Sequence, residues 1–216
     1  MPLVVDHEER RDQIADVVKT IVAESGMKAV TIRNVAREAG FSSTIVSHYF
    51  RDKRELLMYA YSSVQKIAEE RVHEIFNTGG SLMDCINVVL PNDKVNLRDW
   101  QAWFGFWGRV TADPELSAVR LDGIERTQAL FRWLLENAKQ RGELPAEVDV
   151  AFHATRLQMM LNGLASFVIM KPDAWPPERQ RDVILWQIEL MKTMPRGDLP
   201  AAKPQPRARA KARGAA

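Results

Sequence analysis

Apolar residues recur at intervals of three and four along nearly the whole chain, a period typical of amphipathic helices. The first such segment has apolar side chains at positions 14, 17, 18, 21 and 22 and stops at Gly26. Glycine, proline and asparagine interrupt the pattern at 77–80 and at 91–92. No segment alternates in the manner of a strand and no internal repeat is visible, so the pattern predicts an all-α protein of about nine helices.

Polar capping residues place the boundaries of these helices. Short helices are expected from Thr31 and from Ser42 or Ser43 to about Tyr49, and a long helix is expected at 52–77, capped by Asp52. Asp113 followed by Pro114 is typical of an N-cap with proline at the first helical position. The remaining helices are predicted at about 81–89, 97–111, 113–140, 149–170 and 176–194.

Residues 42–57, SSTIVSHYFRDKRELL, are unusual for a helix that packs in a core. Up to residue 50 its few aliphatic and phenylalanine groups are Ile45, Val46 and Phe50, and we expect them to anchor the segment. Ser43, Thr44, Ser47 and His48 lie away from that anchor, and hydroxyl and imidazole groups bind phosphates and base edges. A short helix, a tight turn at 39–41 and a second helix with a polar surface together predict a DNA-binding helix-turn-helix.

The same region carries a family resemblance. Residues 31–56, TIRNVAREAGFSSTIVSHYFRDKREL, resemble the TetR family of bacterial transcription regulators. The positions that match the family pattern are Thr31, Ala39–Gly40, Ser42, Tyr49–Phe50 and Lys53. The resemblance implies a helical repressor with an N-terminal helix-turn-helix domain and a C-terminal domain for ligand binding and dimerisation.

The resemblance also implies residue roles. Thr31, Tyr49 and Lys53 would contact phosphates, and the polar residues of the second helix would meet base edges. The full set of predicted DNA contacts is Thr31, Arg33, Ser42, Ser43, Thr44, Ser47, His48, Tyr49 and Lys53. Two alternatives stay open: Ser42 acts only as an N-cap, and Tyr49 acts only in packing. Thr44 and Ser47 stand where the family often has glycine and an aromatic residue, so the operator sequence is not transferable from a relative.

The segment LRDWQAWFGFWGRVT is rich in aromatic residues. Trp100, Trp103, Phe104 and Trp107 fall at i, i+3, i+4 and i+7, and thus share a helix face. One interpretation is a packed core helix. The other is a ligand pocket, because indole faces attract quaternary ammonium cations.

Residues 100–131 resemble the regulatory domain of BetI-type repressors, the branch of the family that senses choline. The segment MLNGLASFV has Ala165 where that branch carries a further tryptophan, which leaves a different effector open. The predicted effector is therefore choline, another quaternary ammonium compound or an apolar compound.

The last two helices carry apolar stripes that suit dimerisation. The resemblance implies a four-helix interface between two copies, although the same stripes would also serve as the core of a monomer. The predicted interface residues are Leu157, Leu161, Leu164, Val168, Ile184, Ile188 and Met191. A two-fold dimer implies a pseudo-palindromic double-stranded operator.

Composition narrows the remaining possibilities. The only cysteine, Cys85, precludes an internal disulfide and is either a core residue or a redox sensor. The four histidines have no metal-ligand spacing, and we expect neither a metal nor a cofactor. No secretory signal or membrane span is evident, which predicts a cytoplasmic protein. The net charge of +2 conceals a basic segment at 195–216, which is predicted to be disordered.

We thus predict a helix-turn-helix domain at 1–54, a ligand-binding and dimerisation domain at 55–194 linked by helix 52–77, and a basic tail at 195–216. The predicted function is ligand-responsive repression, with control of choline or glycine betaine metabolism as one possibility. The alternatives are a regulator with another inducer, an activator, a DNA-packing protein, or an enzyme that uses the aromatic pocket. No nucleophile–base pair, phosphate loop or metal motif supports an enzyme.

Overall fold

The computed structural model describes residues 7–110 and 114–196, and helices are the only regular secondary structure in that part of the chain. The helices are α1 (His7–Ser25), α2 (Ile32–Glu38), α3 (Ser43–Tyr49), α4 (Lys53–Asn77), α5 (Leu82–Asn87), α6 (Lys94–Val110), α7 (Pro114–Gln140), α8 (Val150–Met170) and α9 (Pro177–Thr193). Single 3-10 turns lie at Met27–Ala29 and Pro172–Ala174. The predicted all-α fold is confirmed.

The predicted caps explain where several helices begin. Thr31, Ser42, Asp52 and Asp149 each accept a hydrogen bond from the backbone N–H three residues later, at 3.1, 3.2, 2.8 and 3.0 Å respectively. Between α2 and α3, Gly40 has a φ of 69°, a left-handed conformation that glycine adopts without strain.

One boundary differs from the expected one. Helix α6 begins at Lys94, three residues earlier than predicted, because the Asp93 carboxylate accepts the backbone N–H of Asn96 at 2.8 Å. The predicted cap at Asp113 and the basic tail beyond Arg196 lie outside the described residues.

Two apolar clusters hold the helices together. The N-terminal cluster joins α1, α2 and α3 to the start of α4 and to Ala102, Trp103 and Phe106 of α6. The C-terminal cluster joins the end of α4 to α5, α7, α8 and α9. Helix α4 contributes to both clusters, and Trp100 of α6 packs against both. The domain boundary predicted at residue 54 stays a prediction.

No helix within the described ranges combines the length and the apolar character needed to cross a bilayer.

Candidate functional site

Helix α3 presents a polar surface. Ser43, Thr44, Ser47 and His48 are exposed, whereas Val46 is fully buried. Phe50, the C-cap residue of α3, is also buried against the N-terminal cluster. The helix is therefore attached along one side only, and the side that faces solvent carries hydroxyl and imidazole groups suited to nucleic acid.

Ile45 does not anchor α3, contrary to the expectation from sequence. Its side chain is 41% exposed. Val46, the next residue along the helix, takes the buried position, and a seven-residue helix has room for few core-facing side chains. An exposed aliphatic group among hydroxyls is suited to the methyl group of thymine, so Ile45 joins the candidates for base contact.

The other predicted DNA contacts lie around α3. Thr31 and Ser42 start α2 and α3, and both are exposed, as is Arg33. The hydroxyl oxygens of Thr31 and Ser42 accept hydrogen bonds from backbone N–H groups, which leaves each O–H free to donate to a phosphate. Tyr49 and Lys53 are half-buried, and the ring of Tyr49 packs against the N-terminal cluster.

A cavity of about 110 Å³ lies between α4, α6, α7 and α8. Its walls are largely apolar, with a few amide and charged side chains among them. The lining residues are Val64, Gln65, Ala68, Glu69, Arg71, Val88, Val89, Asn96, Asp99, Trp100, Trp103, Arg126, Thr127, Leu130, Phe131, Gln158, Leu161 and Asn162. An apolar cavity with a few polar groups is typical of a small-molecule site.

The four aromatic residues predicted to bind ligand separate into two pairs. Trp100 and Trp103 line the cavity, whereas Phe104 and Trp107 are absent from its walls. Trp107 instead packs against the N-terminal cluster, with the Arg120 guanidinium 4.2 Å from the ring centroid. The cavity wall takes its third ring from Phe131 of α7, which sequence periodicity could not distinguish from a core residue.

Ionic contacts connect the cavity wall to α1. Asp99 of α6 lines the cavity, and its carboxylate lies 3.7 Å from Nζ of Lys19 and 3.1 Å from Nη2 of Arg98. Lys19 is also 3.0 Å from Asp16, and Arg98 donates to both carboxylate oxygens of Asp16. Burial alone would raise the pKa of Asp16, but the hydrogen bonds from Lys19 and Arg98 outweigh it and lower that pKa.

A second polar arrangement lies on the cavity wall. Arg71 of α4 donates from Nη1 to Oδ1 of Asn96 at 2.6 Å. The Asn96 amide nitrogen donates in turn to the Val88 carbonyl at 3.1 Å and to the Asp93 carboxylate at 3.2 Å. Asn96 is therefore fixed in one orientation, and it holds the Arg71 guanidinium beside the cavity.

The residues predicted to form the dimer interface are buried within the chain itself. Leu157, Leu161, Leu164, Val168, Ile184, Ile188 and Met191 are each at most 8% exposed and belong to the C-terminal cluster of their own chain. They therefore serve as core of their own chain, which is the alternative that the sequence left open, and their part in a dimer stays a prediction. A stripe with helical period indicates burial, but it does not indicate which partner covers it.

Another face of the same two helices is exposed and apolar. Met159, Phe167 and Met170 of α8 are 69%, 57% and 78% exposed, and Trp186 of α9 is 64% exposed. Leu185, beside Trp186, is 41% exposed. Large exposed apolar groups gathered on adjacent helices are typical of an interaction surface.

Cysteine and histidine offer little reactive chemistry. Cys85 is fully buried, and burial raises the pKa of its thiol to about 11, which disfavours the reactive thiolate. This environment favours the core interpretation over the redox sensor. Across residues 7–110 and 114–196, no three His, Cys, Asp or Glu side chains form a group able to hold a metal ion.

Two family models match the chain. The model of bacterial regulatory proteins of the tetR family matches residues 16–60, which hold the helix-turn-helix. The model of the C-terminal domain of BetI-type transcriptional repressors matches residues 80–191, which hold α5 to α9 and most of the cavity wall. Both models describe regulators of transcription, and the enzyme alternative is set aside.

Individual proteins agree with these matches. The transcriptional regulator PksA of Bacillus subtilis is 28% identical over 88% of this chain and 93% of its own length. The regulator BetI of Escherichia coli is 31% identical over 68% of this chain and 76% of its own length.

Solved structures share the fold. A transcriptional regulator from Saccharomonospora viridis, crystallised in complex with choline, has a TM-score of 0.72 and 22% identity, and the match covers 84% of this chain and 96% of that one. A regulator from Rhodococcus has a TM-score of 0.71 and 24% identity, over 83% and 94% of the two chains. The chain belongs to the TetR family of bacterial transcriptional regulators, with the C-terminal domain of its BetI-type repressors.

Proposed function

We propose that this protein is a homodimeric repressor that binds a pseudo-palindromic operator through α3 and releases it when a small molecule occupies the cavity. The observation that carries this proposal is the one-sided attachment of α3. Val46 and Phe50 are buried, while Ser43, Thr44, Ser47 and His48 are exposed to solvent. A helix held in this way can enter a major groove without losing its own packing.

The DNA contacts divide into two kinds. Tyr49, Lys53 and the caps Thr31 and Ser42 lie at helix ends, where hydroxyl and ammonium groups suit phosphates. Thr44, Ser47 and His48, together with the exposed Ile45, are the candidates for base edges. The first kind positions the protein on the duplex, and the second distinguishes one operator from another.

The second copy is expected to pack on the exposed faces of α8 and α9. Met159, Phe167, Met170, Leu185 and Trp186 form this proposed dimer surface. Burying such side chains against an identical set stabilises a dimer by removing apolar area from water. Binding two half-sites of an operator then requires the two α3 helices to lie about one turn of B-DNA apart, roughly 34–36 Å, or a multiple of that distance.

Effector binding reaches the DNA-binding helices through α6. Asp99 on the cavity wall is bound to Lys19 of α1, and Gly105 of α6 lies so close to α1 that an added Cβ would be 2.5 Å from Cγ1 of Val22. A displacement of α6 is therefore carried to α1. The effector acts only to the extent that it binds the released arrangement more tightly than the DNA-bound one.

The effector itself has two candidate classes. Choline is suggested by the BetI relatives and by the choline complex of the Saccharomonospora regulator, and the rings of Trp100, Trp103 and Phe131 are suited to a cation. The Arg71 guanidinium on the same wall does not suit a cation, because it carries a positive charge itself. Control of choline metabolism thus belongs to one candidate class, and an acidic or apolar effector belongs to the other.

A mobility-shift titration of the full chain on the DNA upstream of its own gene tests the proposal. We expect a discrete complex that persists against excess scrambled DNA and has two-fold stoichiometry. Binding without sequence preference would support the DNA-packing alternative. Absence of any shift at low salt, where phosphate contacts are strongest, would contradict operator binding altogether.

A transcription assay from that promoter separates repression from activation. A repressor lowers transcript yield in proportion to operator occupancy, and an activator raises it. Repeating the assay with a compound that binds the cavity then tests ligand response, because occupancy should fall as the compound is added.

A further inference from the structure

We propose that the effector presents an anionic oxygen group, such as a carboxylate, to Arg71 and an apolar body to the remaining walls of the cavity. This inference rests on the proposed function in one respect, namely that the cavity is the effector site. It assigns the chemical class of the ligand, which the family match leaves open.

The first observation is that Arg71 is held in place by a neutral partner. Its guanidinium donates at 2.6 Å to the amide oxygen of Asn96, and both hydrogen bonds of the Asn96 amide nitrogen are made to Val88 and Asp93. An amide fixes the orientation of a guanidinium but leaves its positive charge uncancelled. Among the described ion pairs, none includes Arg71.

The second observation concerns the other charged groups of the wall. Asp99 is compensated by two cations, with Lys19 Nζ at 3.7 Å and Arg98 Nη2 at 3.1 Å. Glu69 and Arg126 carry opposite charges and are 42% and 53% exposed, so solvent screens both of them. The charge that remains beside the apolar wall is the positive charge of Arg71.

The third observation is the shape of α4. Val64, Ala68 and Arg71 lie at i, i+4 and i+7, so one face of the helix offers two apolar side chains followed by a guanidinium. Leu130, Phe131 and Leu161 complete the apolar part of the wall from α7 and α8. A ligand that satisfies this face is amphipathic, with an acidic end and an apolar body.

A quaternary ammonium ligand is less well matched. Trp103 is stacked on Tyr61 at 4.7 Å and Trp100 on Phe104 at 5.9 Å, so each indole has one face taken. A cation in the cavity would also be repelled by the positive charge of Arg71, which lines the same cavity.

Direct binding to the full-length chain tests the proposal. We would titrate hexanoate, octanoate and decanoate by calorimetry, with the alcohols and the trimethylammonium compounds of equal chain length as matched probes, and choline as a further probe. Each titration would be repeated with Arg71→Gln, with the conservative Arg71→Lys, and with Arg132→Gln. Arg132 is an exposed arginine of α7 that does not line the cavity, and it provides the matched control.

We expect at least one carboxylate to bind more tightly than its alcohol and its ammonium analogue. Arg71→Gln should weaken that carboxylate by about tenfold to a hundredfold, the range for a hydrogen bond to a charged group. The alcohol should change by less than about twofold. Arg71→Lys should recover part of the loss, and Arg132→Gln should match the unmodified protein.

Three results would overturn the proposal. These are tighter binding of choline or the ammonium probes than of every carboxylate, equal binding of carboxylate and alcohol, and equal loss of both probes in Arg71→Gln. Circular dichroism of each variant shows whether the helices are intact, so that a loss of binding caused by unfolding is distinguished from the loss of the Arg71 contact. Because calorimetry requires no DNA, these results are independent of the mobility shift that tests the proposed function.

Discussion

Asp99 lines the cavity, and its carboxylate lies 3.7 Å from the ammonium group of Lys19 in α1. Lys19 is 1% exposed, which is rare for lysine and requires compensation by nearby carboxylates. The pair therefore joins the wall that would contact an effector to a helix that packs on the helix-turn-helix. A ligand that displaces α6 changes the surroundings of a buried charge, and the energetic consequence is larger than for an exposed pair.

Asp99→Asn should weaken this connection without abolishing DNA binding. Lys19 keeps Asp16 as a partner, so we expect the free energy of unfolding to fall by about 1–3 kcal/mol. Urea denaturation measures that change, and mobility shift with effector measures the response. The exposed Asp182→Asn on α9 is the control. A normal effector response in Asp99→Asn would show that the ionic contact does not carry the signal.

Gly105→Ala should disturb the contact between α6 and α1. The new Cβ would lie 2.5 Å from Cγ1 of the buried, β-branched Val22, and overpacking of this kind costs about 1–3 kcal/mol. The higher helix propensity of alanine offsets up to about 1 kcal/mol. Thermal denaturation should thus give a lower midpoint for Gly105→Ala, and adding Val22→Ala should relieve the clash. A midpoint above that of the unmodified protein would contradict the close approach of the two helices.

Tyr49→Phe and Ser47→Ala should change DNA binding in different ways. Removing the Tyr49 hydroxyl removes one phosphate contact, so affinity should fall about twofold to tenfold on cognate and scrambled sites alike. Ser47→Ala should change the preference among operators by about 1–3 kcal/mol at one base pair. Fluorescence anisotropy on paired cognate and scrambled duplexes measures both. Equal losses for Ser47→Ala on the two duplexes would contradict a role in base recognition.

Phe167→Glu and Trp186→Glu should each convert the protein to a monomer. Both side chains are more than half exposed, so a carboxylate is tolerated in the isolated chain but is buried unpaired in the proposed dimer. Sedimentation velocity measures the oligomeric state. Glu189 is exposed and lies on α9 with Trp186, so Glu189→Gln serves as the control. A dimer that survives both substitutions would place the interface elsewhere.

His153 should make the protein less stable in mild acid. Burial lowers its pKa, although hydrogen bonding to the Met194 carbonyl opposes the shift. The folded state therefore binds a proton less readily than the unfolded state, in which the pKa is near 6.5. The contribution of neutral His153 to the free energy of unfolding is therefore fully present above about pH 6.5. It is lost as the pH falls below that value towards the folded pKa.

Urea titrations between pH 7.5 and 5 measure this decline, and His153→Gln provides the comparison. Glutamine does not titrate in that range, so its stability should change less with pH than that of the unmodified chain. Parallel curves for the two proteins would contradict a lowered pKa at His153.

The sequence predicted the caps and the exposed polar surface of α3 well because their signals are local. An N-cap, a tight turn and a polar helix surface depend on neighbours within a few residues, and Thr31, Ser42 and Asp52 cap the helices they were expected to cap. The expected anchors Val46 and Phe50 are buried, but the prediction for Ile45 is wrong, because only the packing of α3 on the bundle decides which neighbouring apolar residues of a seven-residue helix face the core.

The cavity and the exposed apolar face of α8 and α9 were decided by tertiary structure. Periodicity grouped Trp100, Trp103, Phe104 and Trp107 on one face, but packing turned two of them away from the cavity and supplied Phe131 from another helix. It likewise identified the apolar stripes of α8 and α9, although the chain covers those stripes itself. The sequence by itself determined the helices, their caps and the family, because these follow from local spacing. Which side chains share a wall, a charge or an interface depends on contacts between distant segments, and only the folded chain fixes those.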